Sequence, residues 1–173
     1  MGGCRGGVDS AAVKAGKAEI RAAGERLLPV VRRAGMLGEL MRLKYGIAIA
    51  GTHGKTTTTS LAGLLLPEGG LDPTVSVGGR LRVTSTGARL GRSDYMVVES
   101  DEFDRSFLRL SPIIAVLTNI DLEHLDTYRG LDDLKKAFIE FARREPFFGE
   151  VLLCLDDPNL QAILPDLSDR RVV

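Results

Sequence analysis

The sequence predicts an α/β fold: a P-loop-type, mostly parallel sheet flanked by helices. Three observations predict it. Short apolar runs at 47–50, 95–98, 113–118 and 151–155 have the length and bounded ends of buried strands. Segments of helical periodicity lie between them, and strands that alternate with helices build parallel sheets. The stretch "GTHGKTTTT" after the first run is a glycine turn between a strand and a helix, where backbone N–H groups and a helix N-terminus face an anion together.

Each element has a local reason. Residues 1–16, rich in Gly, Ala and Ser, read as a loose tail. A helix is expected over 17–27, stopped by Pro29, and "LPVVRR" reads as a short buried strand. Met36, Leu37, Leu40, Met41 and Leu43 recur at helical spacing and give an amphipathic helix over about 33–44, broken by Gly46. The strand 47–50 leads into a helix over 55–66, which Pro67 is expected to end. A strand follows at 74–77, then a glycine turn and an exposed hairpin over 81–90. The strand 95–98 ends on Glu99, and the strand 113–118 ends on Asn119. Leu131, Leu134, Phe138 and Phe141 line one face of a helix, with Asp132 and Asp133 in its first turn, where negative charge suits the dipole. The strand 151–155 and a short helix over 159–164 come next, and "RRVV" begins one more strand.

Composition narrows the function classes. The 173 residues carry 23 basic and 23 acidic side chains. A zero net charge argues against nucleic acid as the main partner, because phosphate-backbone binders show a basic excess. Cys4 and Cys154 have neither metal-ligand spacing nor the density of a disulfide scaffold. No apolar run approaches the roughly 20 residues of a membrane span, and the N-terminus lacks the apolar core of a signal peptide. A reducing, cytoplasmic setting without membrane attachment is the default expectation.

The loop Gly51, Thr52, His53, Gly54, Lys55, Thr56 is shorter than the common eight-residue phosphate loop. Its glycines let the backbone approach phosphates, Lys55 can reach β- and γ-phosphates, and Thr56 can hold Mg²⁺. An ordinary helix N-cap is the bland alternative. Thr57 is placed with the loop. Phosphate enzymes also need an acid from a neighbouring strand. Glu99 stands at the carboxyl end of its strand, the edge where ligands bind in open α/β sheets, although an exposed loop acid is the usual fate of a glutamate. "ESDEFD" adds Asp101, Glu102 and Asp104, a cluster that needs a cation, donors or solvent to offset repulsion; most of the four are not expected to be ligands. His124 lies just beyond the next strand, on the same edge; a lone histidine is more often structural than a ligand, and Mg²⁺ prefers oxygen.

Four segments, "YGIAIAGTHGKTTTTS", "GLDPTVSVGGRL", "VVESDEFDRSFLRLSP" and "AVLTNIDLEHLDTY", resemble the Mur ligases in order and spacing over about residues 30–170. The resemblance implies ATP-dependent activation of the carboxylate of UDP-N-acetylmuramate as an acyl phosphate, followed by attack of an amino acid. It implies that Lys55 stabilises the transferring phosphoryl group, that Thr56 and Glu99 hold the nucleotide magnesium, and that His124 holds a second Mg²⁺; Asn119 falls at a motif asparagine of the site. His53 is similar both to the branch that adds L-alanine and to the related tripeptide-recycling ligase, and "DEFDRSFLRL" favours the alanine-adding branch, with the recycling ligase as the alternative. A bare ATP-binding module is the alternative from another class. There are departures: Glu123 stands where the family usually has Asp, Ser100 replaces a usual Ala or Cys, and Gly63 and Pro67 weaken the helix after the loop. The family has three domains. On this reading residues 1–45 are the remnant of an N-terminal UDP-binding domain with its linker helix, and 46–173 are a partial central ATP-binding domain. A chain so truncated is expected to have little ligase activity alone, and its sheet edge near Val173 is expected to favour self-association.

Overall fold

The structure is a computed structural model that describes residues 5–9, 17–78, 87–123 and 126–173. In chain order the elements are β1 (Gly7–Asp9), α1 (Ala18–Glu25), β2 (Val30–Arg32), α2 (Arg33–Met41), β3 (Tyr45–Ala50), α3 (Lys55–Glu68), β4 (Thr74–Ser76), β5 (Ala88–Arg89), β6 (Tyr95–Glu99), β7 (Ile114–Leu117), α4 (Leu131–Ala142), β8 (Glu150–Leu153) and α5 (Pro158–Ile163), with 3₁₀ turns at Ser106–Arg109 and Leu164–Leu167. Six strands form one sheet in the order β5-β4-β6-β3-β7-β8. All its pairs are parallel except the short β4–β5 pair. The expected α/β sheet is therefore present, with β3 at its centre.

Side chains alternate across this sheet as the pleat requires. Ala48, Ala50, Met96, Val98, Ala115 and Leu117 face one way and join the larger core with Met41, Leu134, Phe138 and Phe141. Ile49, Val75 and Val97 face the other way, under Ala62 and Leu66 of α3. The apolar stripe expected on α4 is buried at Leu134, Phe138 and Phe141, with Leu131 partly buried against it. Phe107, from the turn after β6, packs between two of these rings, its centroid 5.5 Å from Phe138 and 5.1 Å from Phe141. This wedge ties the acidic segment after β6 to the helix layer.

Several boundaries differ from expectation. Gly7–Asp9 is not loose: it pairs in parallel with Val30–Arg32 as a separate two-stranded sheet, pinned by an Arg32–Asp9 ion pair at 3.0 Å. The "LPVVRR" strand is not buried, since Val30 and Arg32 are exposed; the pleat turns only Val31 inward, against Gly35 of α2. The helix expected to 44 ends at Met41. Pro67 does not end α3 but lies inside its last turn. One missing N–H costs little there, because Gly69 N–H still donates to Leu65 O and Leu71 N–H to Leu66 O. Gly63 lies against Val75, where an added Cβ would come within 3.1 Å of that side chain, so its small size serves packing on the sheet. Of the expected 81–90 hairpin, residues 81–86 lie outside the described residues, and 88–89 form β5. The strand expected at 151–155 runs over Glu150–Leu153. "RRVV" makes a parallel bridge from Val172 to Val151. Cys4 also lies outside the described residues.

Candidate phosphate site

β3 delivers its last apolar residue, Ala50, to the carboxyl edge of the sheet, and the chain turns there through Gly51 and Gly54. Both glycines have positive φ, +142° and +80°. At Gly51 a side chain is also excluded by space: an added Cβ would lie 1.9 Å from Thr118 Oγ1. Gly54 is the N-cap of α3, so the first-turn N–H groups of a fourteen-residue helix open beside the loop, the arrangement that binds anions. Thr57 is exposed in that turn.

The loop is clasped from the segment after β7. Asn119 takes both sides of one residue: His53 N–H donates to Asn119 Oδ1 at 2.8 Å, and Asn119 Nδ2 donates to His53 O at 3.0 Å. Thr118 Oγ1 donates to the same carbonyl at 2.7 Å. Buried Thr52 accepts from Asp121 N–H at 2.8 Å, and Thr52 N–H donates to Asn119 O. Asn119, expected in the site through a motif, is thus adjacent to the loop. The His53 ring is exposed, with Nε2 3.5 Å from Asp121 Oδ2 and 3.8 Å from Glu123 Oε1.

Glu99 sits where its strand end implied. Oε1 accepts from Thr56 Oγ1 at 2.9 Å, and Oε2 from Gly78 N–H at 2.8 Å. The ends of β3, β4 and β6 therefore meet at one carboxylate. Magnesium fits this pair: a hydroxyl and a carboxylate are hard oxygen donors, and Mg²⁺ fills the rest of its octahedron with water and phosphate rather than an all-protein cage. Among the described residues no cluster of three or more His, Cys, Asp or Glu is arranged for a metal. His124, the residue expected to hold a second Mg²⁺, lies outside the described residues.

Glu102 was the residue that sequence reasoning passed over, as one of four clustered acids. It is fully buried, and its Oε2 receives Lys55 Nζ at 2.8 Å. Burial drives its carboxyl above the usual glutamate range, and the hydrogen bond from Lys55 works against that rise. Lys55 also donates to Gly51 O at 2.6 Å and Thr52 O at 3.1 Å. Spacing within "ESDEFD" gives no sign of which acid turns inward; that depends on the chain leaving β6 toward the Phe107 wedge. Asp101 and Asp104 are exposed and accept from the N–H groups of Phe103 and Ser106, local turn bonds that need no cation.

Family models match nearly the whole chain: one described as the Mur ligase middle domain over residues 49–172, and one described as the Mur ligase family catalytic domain over residues 3–45. The chain is similar to the UDP-N-acetylmuramate–L-alanine ligase of Syntrophotalea carbinolica, 54% identical over 95% of this chain and 36% of that protein. It is 58% identical to the protein of the same name from Rhizorhabdus wittichii, over 96% of this chain and 35% of that one. It therefore spans little more than a third of the curated relatives it matches. Two solved structures share its fold at 27% identity. The UDP-N-acetylmuramate:L-alanyl-gamma-D-glutamyl-meso-diaminopimelate ligase of Neisseria meningitides has a TM-score of 0.81, with 95% of this chain and 57% of that one covered. The UDP-N-acetylmuramate-alanine ligase of Thermotoga maritima has a TM-score of 0.76, with 88% and 35% covered.

Proposed function

The chain belongs to the Mur ligase family, and from that premise we propose that the loop after β3 binds Mg-ATP and presents its γ-phosphoryl group to the carboxylate of UDP-N-acetylmuramate, as the activating step of amide formation with L-alanine. The observation that carries this reading is the 2.9 Å contact of Thr56 Oγ1 with Glu99 Oε1. It joins a helix N-terminus to a neighbouring strand end through two oxygen donors that would suit a phosphate-bound magnesium. Identity above 50% to alanine-adding relatives supports L-alanine over a tripeptide as the amino substrate.

The roles follow from chemistry. The N–H groups of the loop and of the first turn of α3 bind and orient the phosphates. Lys55 brings a positive charge to the transferring group, and catalysis of phosphoryl transfer is mostly such positioning and electrostatics. Thr56 and Glu99 would hold Mg²⁺, which when bound neutralises phosphate charge. The carboxylate of the sugar attacks the γ-phosphorus and ADP leaves; the amino group of L-alanine then attacks the acyl carbon and phosphate leaves. By resemblance His124 is assigned to a second Mg²⁺ facing the carboxylate. Residues 1–45 are assigned to the end of the UDP-binding domain and its linker helix, and 46–173 to the central ATP-binding domain. On this reading the chain works in the cytoplasm; among the described residues no helix is long and apolar enough to cross a membrane. Self-association through the outer sheet edge belongs to the same reading.

Calorimetric titration of the chain with Mg-ATP tests it. Weak binding is expected, with Lys55→Ala reducing affinity at least tenfold. Equal binding by Lys55→Ala would show that the loop is not the phosphate site.

A further inference from the structure

We propose that Glu102 positions Lys55, and that it keeps its hold on the ammonium while a phosphate is bound. This rests on the reading of the loop as a Mg-ATP site. Lys55 Nζ has three hydrogens and three protein acceptors: Gly51 O, Thr52 O and Glu102 Oε2. Every donor is already turned onto the protein, so a phosphate oxygen gains one only by displacing an acceptor.

The three acceptors are unequal. Gly51 O and Thr52 O are neutral carbonyls of the loop itself. Glu102 is an anion whose side chain is 0% exposed, beside a lysine side chain that is 12% exposed. Stripping a buried charge of its partner costs several times the net worth of a neutral hydrogen bond. The carbonyl bonds therefore yield, and the carboxylate stays. Lys55 then bridges Glu102 and the phosphate, its ammonium held at the loop mouth by one fixed anchor.

The anchor is itself braced. The buried Tyr128 hydroxyl donates to Glu102 O at 2.6 Å, and Arg105 N–H donates to the same carbonyl at 3.0 Å. The Arg105 guanidinium lies 4.8 Å from the centre of the Tyr128 ring and pairs with Asp133 in the first turn of α4. Glu102 touches Lys55 and not the reacting atoms, which makes it a positioning residue. An anion that instead competed with phosphate for Lys55 would have the opposite effect on nucleotide affinity.

The test uses the 173-residue chain and two readouts: Mg-ATP affinity by calorimetry, and the rate at which acetic anhydride acetylates Lys55, followed by mass spectrometry. Glu102→Gln is expected to weaken Mg-ATP about tenfold and to speed Lys55 acetylation several-fold in the ligand-free chain. Unchanged or tighter Mg-ATP binding in Glu102→Gln, or equal acetylation rates, would overturn the proposal. If neither the parent chain nor Lys55→Ala responds to Mg-ATP, the phosphate-site reading is what fails, and the acetylation rates still decide whether Glu102 holds Lys55. Should Glu102→Gln not fold, Tyr128→Phe loosens the brace without altering charge. It is expected to move both readouts in the same directions, and no movement in either counts against the proposal.

Discussion

Gly51 and Gly54 both turn the backbone into the positive-φ region, yet they differ as single residues. A Cβ on Gly54 meets nothing within 4 Å, whereas on Gly51 it would collide with Thr118 Oγ1 and crowd the backbone of Asn119. Gly54→Ala should therefore cost only the left-handed backbone penalty, about 1–2 kcal/mol. Gly51→Ala adds overpacking to backbone strain and should cost about 3 kcal/mol or more. Urea unfolding of both variants measures this, and equal losses would contradict the account. Legibility also varies residue by residue. Gly51, Lys55, Thr56 and Glu99 could be placed from the sequence because each sits at a strand end or helix start, where chain direction fixes the edge it faces. Glu102 could not, because it lies 47 positions from the lysine it serves and its burial depends on a loop path set by Phe107 packing.

Among the elements, α4 was the most legible. Four apolar residues at helical spacing mark its buried face, and the Phe107 ring completes it. β3, β6 and β7 were readable as well, since apolar strands covered on both faces carry few polar interruptions. β1 was not: three residues with one valine hold their place only because β2 offers a parallel partner and Arg32 a charge. The outer edge of β8 was half-read. Val173 N–H donates to Val151 O there, and Val151 N–H donates to Arg171 O, so Val172 directs its own N–H away from β8. That outward donor is the one a second strand would use. Concentration-dependent dimerisation is expected in sedimentation velocity, and Val172→Pro, which deletes this N–H, should shift the chain to monomer. A parent chain that stays monomeric would dismiss the edge as an interface.

For the molecule as a whole, buried and surface carboxyls pull stability in opposite directions with pH. Glu145 is buried and meets Arg170 Nη1 at 3.4 Å. Desolvation raises its carboxyl above the usual glutamate range, with Arg170 opposing; Glu102 is raised for the same leading reason. A carboxyl raised in the folded state penalises folding when ionised, so the penalty is full above the folded pKa and is relieved as pH falls toward the unfolded value. Asp133 is lowered, first by the Arg129 N–H and then by Arg105, so its support is present above the unfolded pKa and lost as pH falls through the folded one. Thermal unfolding should therefore show stability rising from neutrality into mild acid, then falling in strong acid. Glu145→Gln should flatten that rise, and a parent curve that only falls from neutrality would exclude this balance.

The clasp between the β3 loop and Thr118, Asn119 and Asp121 also bears on kinetics. A cradle assembled before its anion arrives gives up little conformational freedom on binding. On the proposed Mg-ATP reading, capture of the triphosphate is then paced by diffusional encounter and by the exchange of two lysine hydrogen bonds, with the β3 loop already in place.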